Sequence, residues 1–265
     1  MAGEPVQSVD ELDAPVREAL RRHILTLADT KRLLGIRFSD WLLGAPSIET
    51  GIAASSMAQD EWGHARLLYA MLKDFGDDPV EVEHERPPEA YASLDVLDEE
   101  LGDWADVVAA MVVVDGALAT ALEGFAEGRY EQARGRVPKM LAEEEFHRDL
   151  GHAWVRRLAA GTDASKARIG EAIAAMLPRT LAWLAPDDAT FGRLVEAGLT
   201  ASPDALERRF GESVASVLAH TDVDPGAVEA DRSGWDETRG RGPGRPSTDA
   251  VERARGDRNR ALFVE

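Results

Sequence analysis

The sequence predicts an all-α protein, a four-helix bundle with additional C-terminal helices. Three observations carry that reading. Ala, Leu, Glu and Arg dominate long stretches with no period-two alternation to suggest strands. Four long segments repeat apolar residues at three-four spacing, the signature of a helix with one buried stripe. Gly- and Pro-containing breaks separate those segments.

Taken in order, the first helix is expected over Pro15–Leu43, ended by Gly44-Ala45-Pro46. The second spans Ser47–Phe75 and is followed by a loop, Gly76–Leu101, carrying Pro79, Pro87 and Pro88. The third runs Asp103–Glu127, and Gly128 marks a tight turn. The fourth runs Tyr130–Ala160. A stop at Gly161 precedes a fifth helix, Ser165–Leu184; residues 186–198 read as irregular, and Pro203–His220 as a further helix. From Thr221 the composition shifts. The run Arg239-Gly240-Arg241-Gly242-Pro243-Gly244-Arg245-Pro246 reads as a flexible or docking segment, with one more short helix within Thr248–Phe263. The expected organisation is a bundle over residues 1–220 and a Gly/Pro/Arg-rich tail over 221–265.

Composition excludes several classes. The net charge of −19 disfavours nucleic acid and anionic membranes as partners. With no cysteine, disulfides, thiolate nucleophiles, iron–sulfur clusters and thiolate zinc sites are excluded, and a reducing cytoplasm fits. Met1–Leu20 is acidic without an apolar run and does not read as a signal peptide. No stretch reaches the roughly 18 uninterrupted apolar residues that a membrane-spanning helix needs.

The buried stripes are interrupted at matching depth. The first helix gives Leu20, Ile24, Leu27, Lys31, Leu34, Phe38 and Trp41; the second gives Ala54, Met57, Glu61, His64, Leu68, Met71 and Phe75. The third gives Val108, Met111, Asp115, Leu118, Leu122 and Phe125; the fourth gives Val137, Met140, Glu144, His147, Gly151, Trp154 and Leu158. An unpaired buried charge costs several kcal/mol, so four interruptions at one level call for a common cause. Mutual neutralisation by metal supplies it. Glu61/His64 and Glu144/His147 are both Glu-x-x-His, which puts a carboxylate and an imidazole on one helix face. Two such motifs, with one carboxylate from each remaining helix, is the arrangement of di-iron bundles. Asp115 supplies that carboxylate in the second half, 29 residues before Glu144. In the first half the equivalent position falls on Lys31. Glu61, His64, Asp115, Glu144 and His147 are therefore the candidate metal ligands, with Glu61 and Glu144 the candidate catalytic carboxylates. Asp60 and Glu143 precede the ligand glutamates and read either as acceptors for a ligand histidine or as solvated acids. Asp29 lies off the register and reads as a surface acid. His23, His84, His152 and His220 read as exposed or ordinarily packed.

These residues resemble the phenylacetic acid catabolic protein family, ferritin-like subunits of the multicomponent phenylacetyl-CoA epoxidase. Trp104-Ala105-Asp106 through Val114-Asp115-Gly116-Ala117, Asp60-Glu61-Trp62-Gly63-His64 and Glu143-Glu144-Glu145-Phe146-His147 look like its catalytic subunit. Arg37-Phe38-Ser39-Asp40-Trp41, Arg157–Asp163 and Glu196–Pro203 look like its metal-free structural subunit. The resemblance spans roughly residues 20–220. It implies non-haem iron, one or two ions, on Glu61, His64, Asp115, Glu144 and His147, with one oxygen atom passed to an aromatic acyl-CoA. It further implies a homologous bundle subunit and a separate reductase as partners. Met57, Met111, Leu118 and Phe146 are candidates for an apolar chamber, and Arg239–Arg245 for a coenzyme A grip, the other reading of those arginines being a disordered tail. The departure is Lys31, where the catalytic type has glutamate. Three placements are open: an ion pair with Glu61 and then Glu144, leaving at most one ion or none; a helix rotation that brings Asp29 inward; or a lysine that reaches solvent along its stem. The competing roles are a catalytic subunit, a scaffold with a relic site, and a metal-binding protein without oxygenase activity.

Overall fold

The computed structural model describes residues 4–257. In chain order the helices are α1 (Ala14–Ser39), α2 (Ile48–Tyr69, continued as a 3-10 helix over Ala70–Phe75), α3 (Pro79–His84) and α4 (Trp104–Glu127). They continue with α5 (Glu131–Ala159), α6 (Asp163–Leu184), α7 (Ala189–Glu196), α8 (Pro203–Leu218) and α9 (Thr248–Arg255). Among the described residues there is no strand, only two isolated β-bridges. The class is the expected one, an all-α ferritin-like bundle with additional C-terminal helices.

Local chemistry sets the helix starts. Asp13 accepts from Val16 N at 2.9 Å, and Ser47 from Thr50 N at 3.3 Å. Asp103 and Asp106 form a reciprocal capping box at the start of α4. Each such cap contributes about 1 kcal/mol. The sequence reading missed α3 and α7 because short helices give too little periodicity to distinguish them from loop. The end of the predicted Thr248–Phe263 helix lies outside the described residues.

The chain divides into two compact units. One comprises Ser8–Glu100 and the residues from Gly234 on. Here α1 and α2 form a hairpin whose stripes are buried from Leu20 to Phe38 and from Ala54 to Met71. Gly35 allows their close approach: a Cβ there would lie 2.4 Å from Trp62 Nε1. Asp29 is fully buried, contrary to the surface acid expected. It accepts from Tyr69 Oη at 2.6 Å, from Arg86 Nη1 at 3.0 Å and from Ala92 N at 2.8 Å. Those donors satisfy the carboxylate and offset its desolvation. Burial, and then the charge of Asp29, push the Tyr69 phenol well above its ordinary pKa, so it remains a donor.

The Arg-rich segment is packed into this same unit and is not a loose tail. Arg241 is fully buried, donating to the Asp98 carboxylate and to Ser93 Oγ at 3.1 Å. Arg239 donates to the carbonyls of Tyr91 at 2.7 Å and Gly244 at 2.9 Å. Of the flexible and docking readings, the docked one is observed for these two guanidiniums, which reach Tyr91, Ser93 and Asp98 on the loop after α3.

The other unit comprises Leu101–Ser233 and the N-terminal residues through Gln7. Its centre is α4, which is apolar and long enough to cross a membrane, with mean hydropathy 1.8 over its best window. That window is 83% buried by protein, so α4 is a core helix. It packs with α5, α6 and α8, and Trp104 meets Trp154 edge-on at 5.3 Å. Residues after α8 stay with this unit: Asp231 N donates to Pro178 O at 2.9 Å, and Arg179 pairs with Asp231 at 3.1 Å.

Candidate metal centre

In the second unit, Asp115 of α4 meets Glu144 and His147 of α5. The helices are antiparallel neighbours joined through Gly128–Tyr130, which brings position 115 level with position 144. His147 Nδ1 lies 3.0 Å from Asp115 Oδ2 and 3.4 Å from Glu144 Oε2. The three offer ligand atoms within 4.8 Å of one another. All are buried, with 2%, 5% and 0% exposure for Asp115, Glu144 and His147.

The donor set fits a cation. Two carboxylates taken out of water need compensating charge. A protonated His147 offsets one; a divalent ion offsets both and leaves His147 a neutral nitrogen donor. Mixed imidazole and carboxylate donors suit iron, manganese or zinc.

The backbone around Asp115 departs from a plain helix. Residues Ala110–Val114 form a π-helical turn, and Asp115 is the first residue of the regular helix after it. Such turns are often found at functional sites. Gly151 of α5 accommodates it: a Cβ there would lie 3.0 Å from Met111 Cβ and 3.2 Å from Val112 Cγ2. The sequence reading placed Gly151 in the stripe without seeing why it was glycine.

In the first unit, Lys31 and Glu61 are both fully buried, with Nζ 2.9 Å from Oε1. Of the three placements open to Lys31, the ion pair with Glu61 is the observed one; Asp29 is also buried, but in its own network. His64, one turn beyond Glu61, is 1% exposed. The first half thus holds a cation of its own on one oxygen of its glutamate.

The remaining predicted residues differ in placement. Asp60 and Glu143 are half-buried, and Glu143 lies 3.9 Å from Lys139. Met111 and Leu118 are buried in the second unit, and Met57 in the first. Phe146 is 52% exposed and is not a chamber residue. Its ring meets that of His147 edge-on, with centroids 6.3 Å apart. His23 is buried, and desolvation pushes its imidazole down to about 3.

Residues 4–241 match the family model described as phenylacetic acid catabolic protein. The chain belongs to that family. Among curated members of the phenylacetic acid catabolic protein family, it is 26% identical to the C-type subunit of 1,2-phenylacetyl-CoA epoxidase from Escherichia coli K12. That match covers 69% of this chain and 75% of the relative. It is 22% identical to the A-type subunit of the same enzyme, over 69% of this chain and 59% of that relative. Similarity thus runs to both kinds of subunit.

Proposed function

We propose that the chain is one component of a multicomponent di-iron-type monooxygenase in phenylacetate-type aromatic acid catabolism. In this reading Asp115, Glu144 and His147 hold the principal metal ion, and Glu61 and His64 are the other half of the ligand set. The observation that carries it is the buried convergence of Asp115, Glu144 and His147.

Iron bound there would supply dioxygen activation. The protein's part is to hold the carboxylate charges out of water and to present His147 Nδ1 on the same point as both carboxylates. Asp60 and Glu143 are proposed to steady ligand histidines. The substrate class is an aromatic acyl-CoA thioester. A homologous bundle subunit and a separate reductase are the proposed partners, in the cytoplasm.

The Lys31–Glu61 pair favours a second reading, a non-catalytic subunit with a relic first half, and the similarity to the C-type relative supports it. Protein made in iron-supplemented medium tests both by metal content and visible spectrum. The first reading expects iron that Glu144→Ala removes, and turnover with reductase, homologous subunit and dioxygen. Iron-free protein that still binds and activates a homologous subunit supports the second. Iron-free protein with no effect on such a partner defeats both.

A further inference from the structure

Helix α2 (Ile48–Tyr69) buries one face and leaves the other to solvent. Six of its exposed residues, Glu49, Ile52, Ser56, Gln59, Gly63 and Arg66, recur at alternating three-four spacing. That spacing draws a seam along the helix, as the core positions of a coiled coil do. Ile48 and Leu67, also exposed, flank its two ends. The seam holds one acid and one base, so it is neutral on a chain of net charge −19. Two copies of so acidic a chain repel each other across most of their surface. Along this seam they can approach.

Packing within the chain does not explain Gly63. A Cβ there would meet no atom within 4 Å. A glycine inside a helix is less stable than alanine, and here no neighbour in the chain uses the space it leaves. The seam does explain it, because the seam is complementary to itself when reversed. Antiparallel pairing centred between Met57 and Ala58 sets Ile52 against Gly63, Ser56 against Gln59 and Glu49 against Arg66. A large side chain then fills the notch, a hydroxyl meets an amide, and an acid meets a base. Arg66 is available for this: its side chain is 69% exposed, and its contact with Glu83 is long, at 3.5 Å.

Exposed apolar surface is concentrated on the same part of the chain. Of the seven large apolar side chains exposed among the described residues, six fall between Leu42 and Val80, on α2 or next to it in sequence. Leu43 is 96% exposed and Ile48 79%. Together the six present on the order of 600 Å² per copy, the upper end of what a monomer ordinarily shows. Two copies reach the roughly 1,200 Å² at which specific interfaces begin.

We propose that α2 docks antiparallel against α2 of a second copy, forming a two-fold symmetric homodimer in which each of the three pairings occurs twice. Glu61 and His64 lie on the buried face of the same helix, so the contact braces the element that carries them. The association does not depend on metal.

Sedimentation equilibrium of the full chain tests this, and a reversible dimer is expected. Ile52→Asp should weaken it at least about tenfold while leaving the melting temperature in place, since position 52 faces solvent in the monomer. Glu49→Arg alone and Arg66→Glu alone should each weaken it, because like charges then face each other. An equal mixture of those two variants should associate more tightly than either, every facing pair being acid against base again. With no native cysteine, register can be read directly. Copies bearing Ile52→Cys mixed with copies bearing Gly63→Cys should cross-link on air oxidation. Ile52→Cys copies alone should not, their sulfurs lying about 16 Å apart along the helices. A monomer, a dimer indifferent to these changes, or cross-linking of Ile52→Cys copies alone overturns the proposal. So does a monomer whose seam variants instead lose a homologous bundle subunit, which would assign the face to that partner.

Discussion

Lys31 Nζ and Glu61 Oε1 lie 2.9 Å apart with neither side chain exposed. Such a pair is bound more by what its breaking costs than by what its presence contributes. Removing one partner of a buried pair strands the other, at about 3–5 kcal/mol. Lys31→Met is therefore expected to destabilise by that order, measured by urea unfolding. The double variant Lys31→Met/Glu61→Met should recover most of the loss, because an apolar pair of similar volume leaves no charge buried. A Lys31→Met protein as stable as the parent would contradict the pairing.

The same lysine governs metal stoichiometry. It stands where the resemblance places a glutamate ligand, and its ammonium already neutralises Glu61. Lys31→Glu should raise bound iron towards two per chain, read by metal analysis of protein purified from iron-supplemented medium. Two irons per chain in the unmodified protein would show that the ammonium does not limit loading.

The two halves should rank differently. Asp115, Glu144 and His147 converge on one another, whereas Glu61 is paired with Lys31. Glu144→Ala should weaken metal binding by roughly tenfold or more, and Glu61→Ala by less. Titration with Mn²⁺, followed calorimetrically, reads both. Equal losses would argue that the halves contribute alike.

His23 gives a pH dependence with a definite sign. Its folded pKa of about 3 lies below the roughly 6.5 of an unfolded imidazole. Between those values the unfolded chain binds the extra proton, so the contribution is complete above the unfolded pKa and is lost as pH falls. From pH 7 to pH 5 the loss from this group is about 2 kcal/mol. Asp98, raised by burial to about 6 despite Arg241, works in the opposite direction over part of that window. The informative quantity is thus the difference between parent and His23→Gln in unfolding free energy at the two pH values. A variant that keeps the parent's slope would show that His23 is not its source.

How much of this was legible in the sequence depends on the kind of signal. The stripes on α1, α2, α4 and α5 were readable because a helix repeats its address every three or four residues. Glu61, His64, Asp115, Glu144 and His147 stood out as charges at apolar addresses. Lys31 was readable for the same reason, though its partner was one of three choices. Asp29 was misread because register on one stripe says nothing about a second buried face. Tyr69, Arg86 and Ala92, which satisfy it, are up to 63 residues away. The π turn at Ala110–Val114 left no trace, since nothing in Ala-Met-Val-Val-Val distinguishes it from plain helix. Composition left residues 239–245 open between a flexible and a docking segment, because it reports what a segment prefers in water and the acceptors lie on a distant loop.

That last placement bears on the order in which the protein is made. The unit holding α1 and α2 is interrupted during synthesis, because Arg239, Arg241 and α9 leave the ribosome only after Leu101–Ser233. The intervening stretch of about 130 residues takes roughly ten seconds to synthesise at ordinary elongation rates. During that interval Asp98, Ser93 and the Tyr91 carbonyl wait for guanidinium donors that do not yet exist. A chain truncated after Ser233 is therefore expected to leave α1 and α2 cleavable by protease while α4, α5 and α6 are already resistant. Arrival of the residues from Gly234 on would then complete the unit that holds α1 and α2.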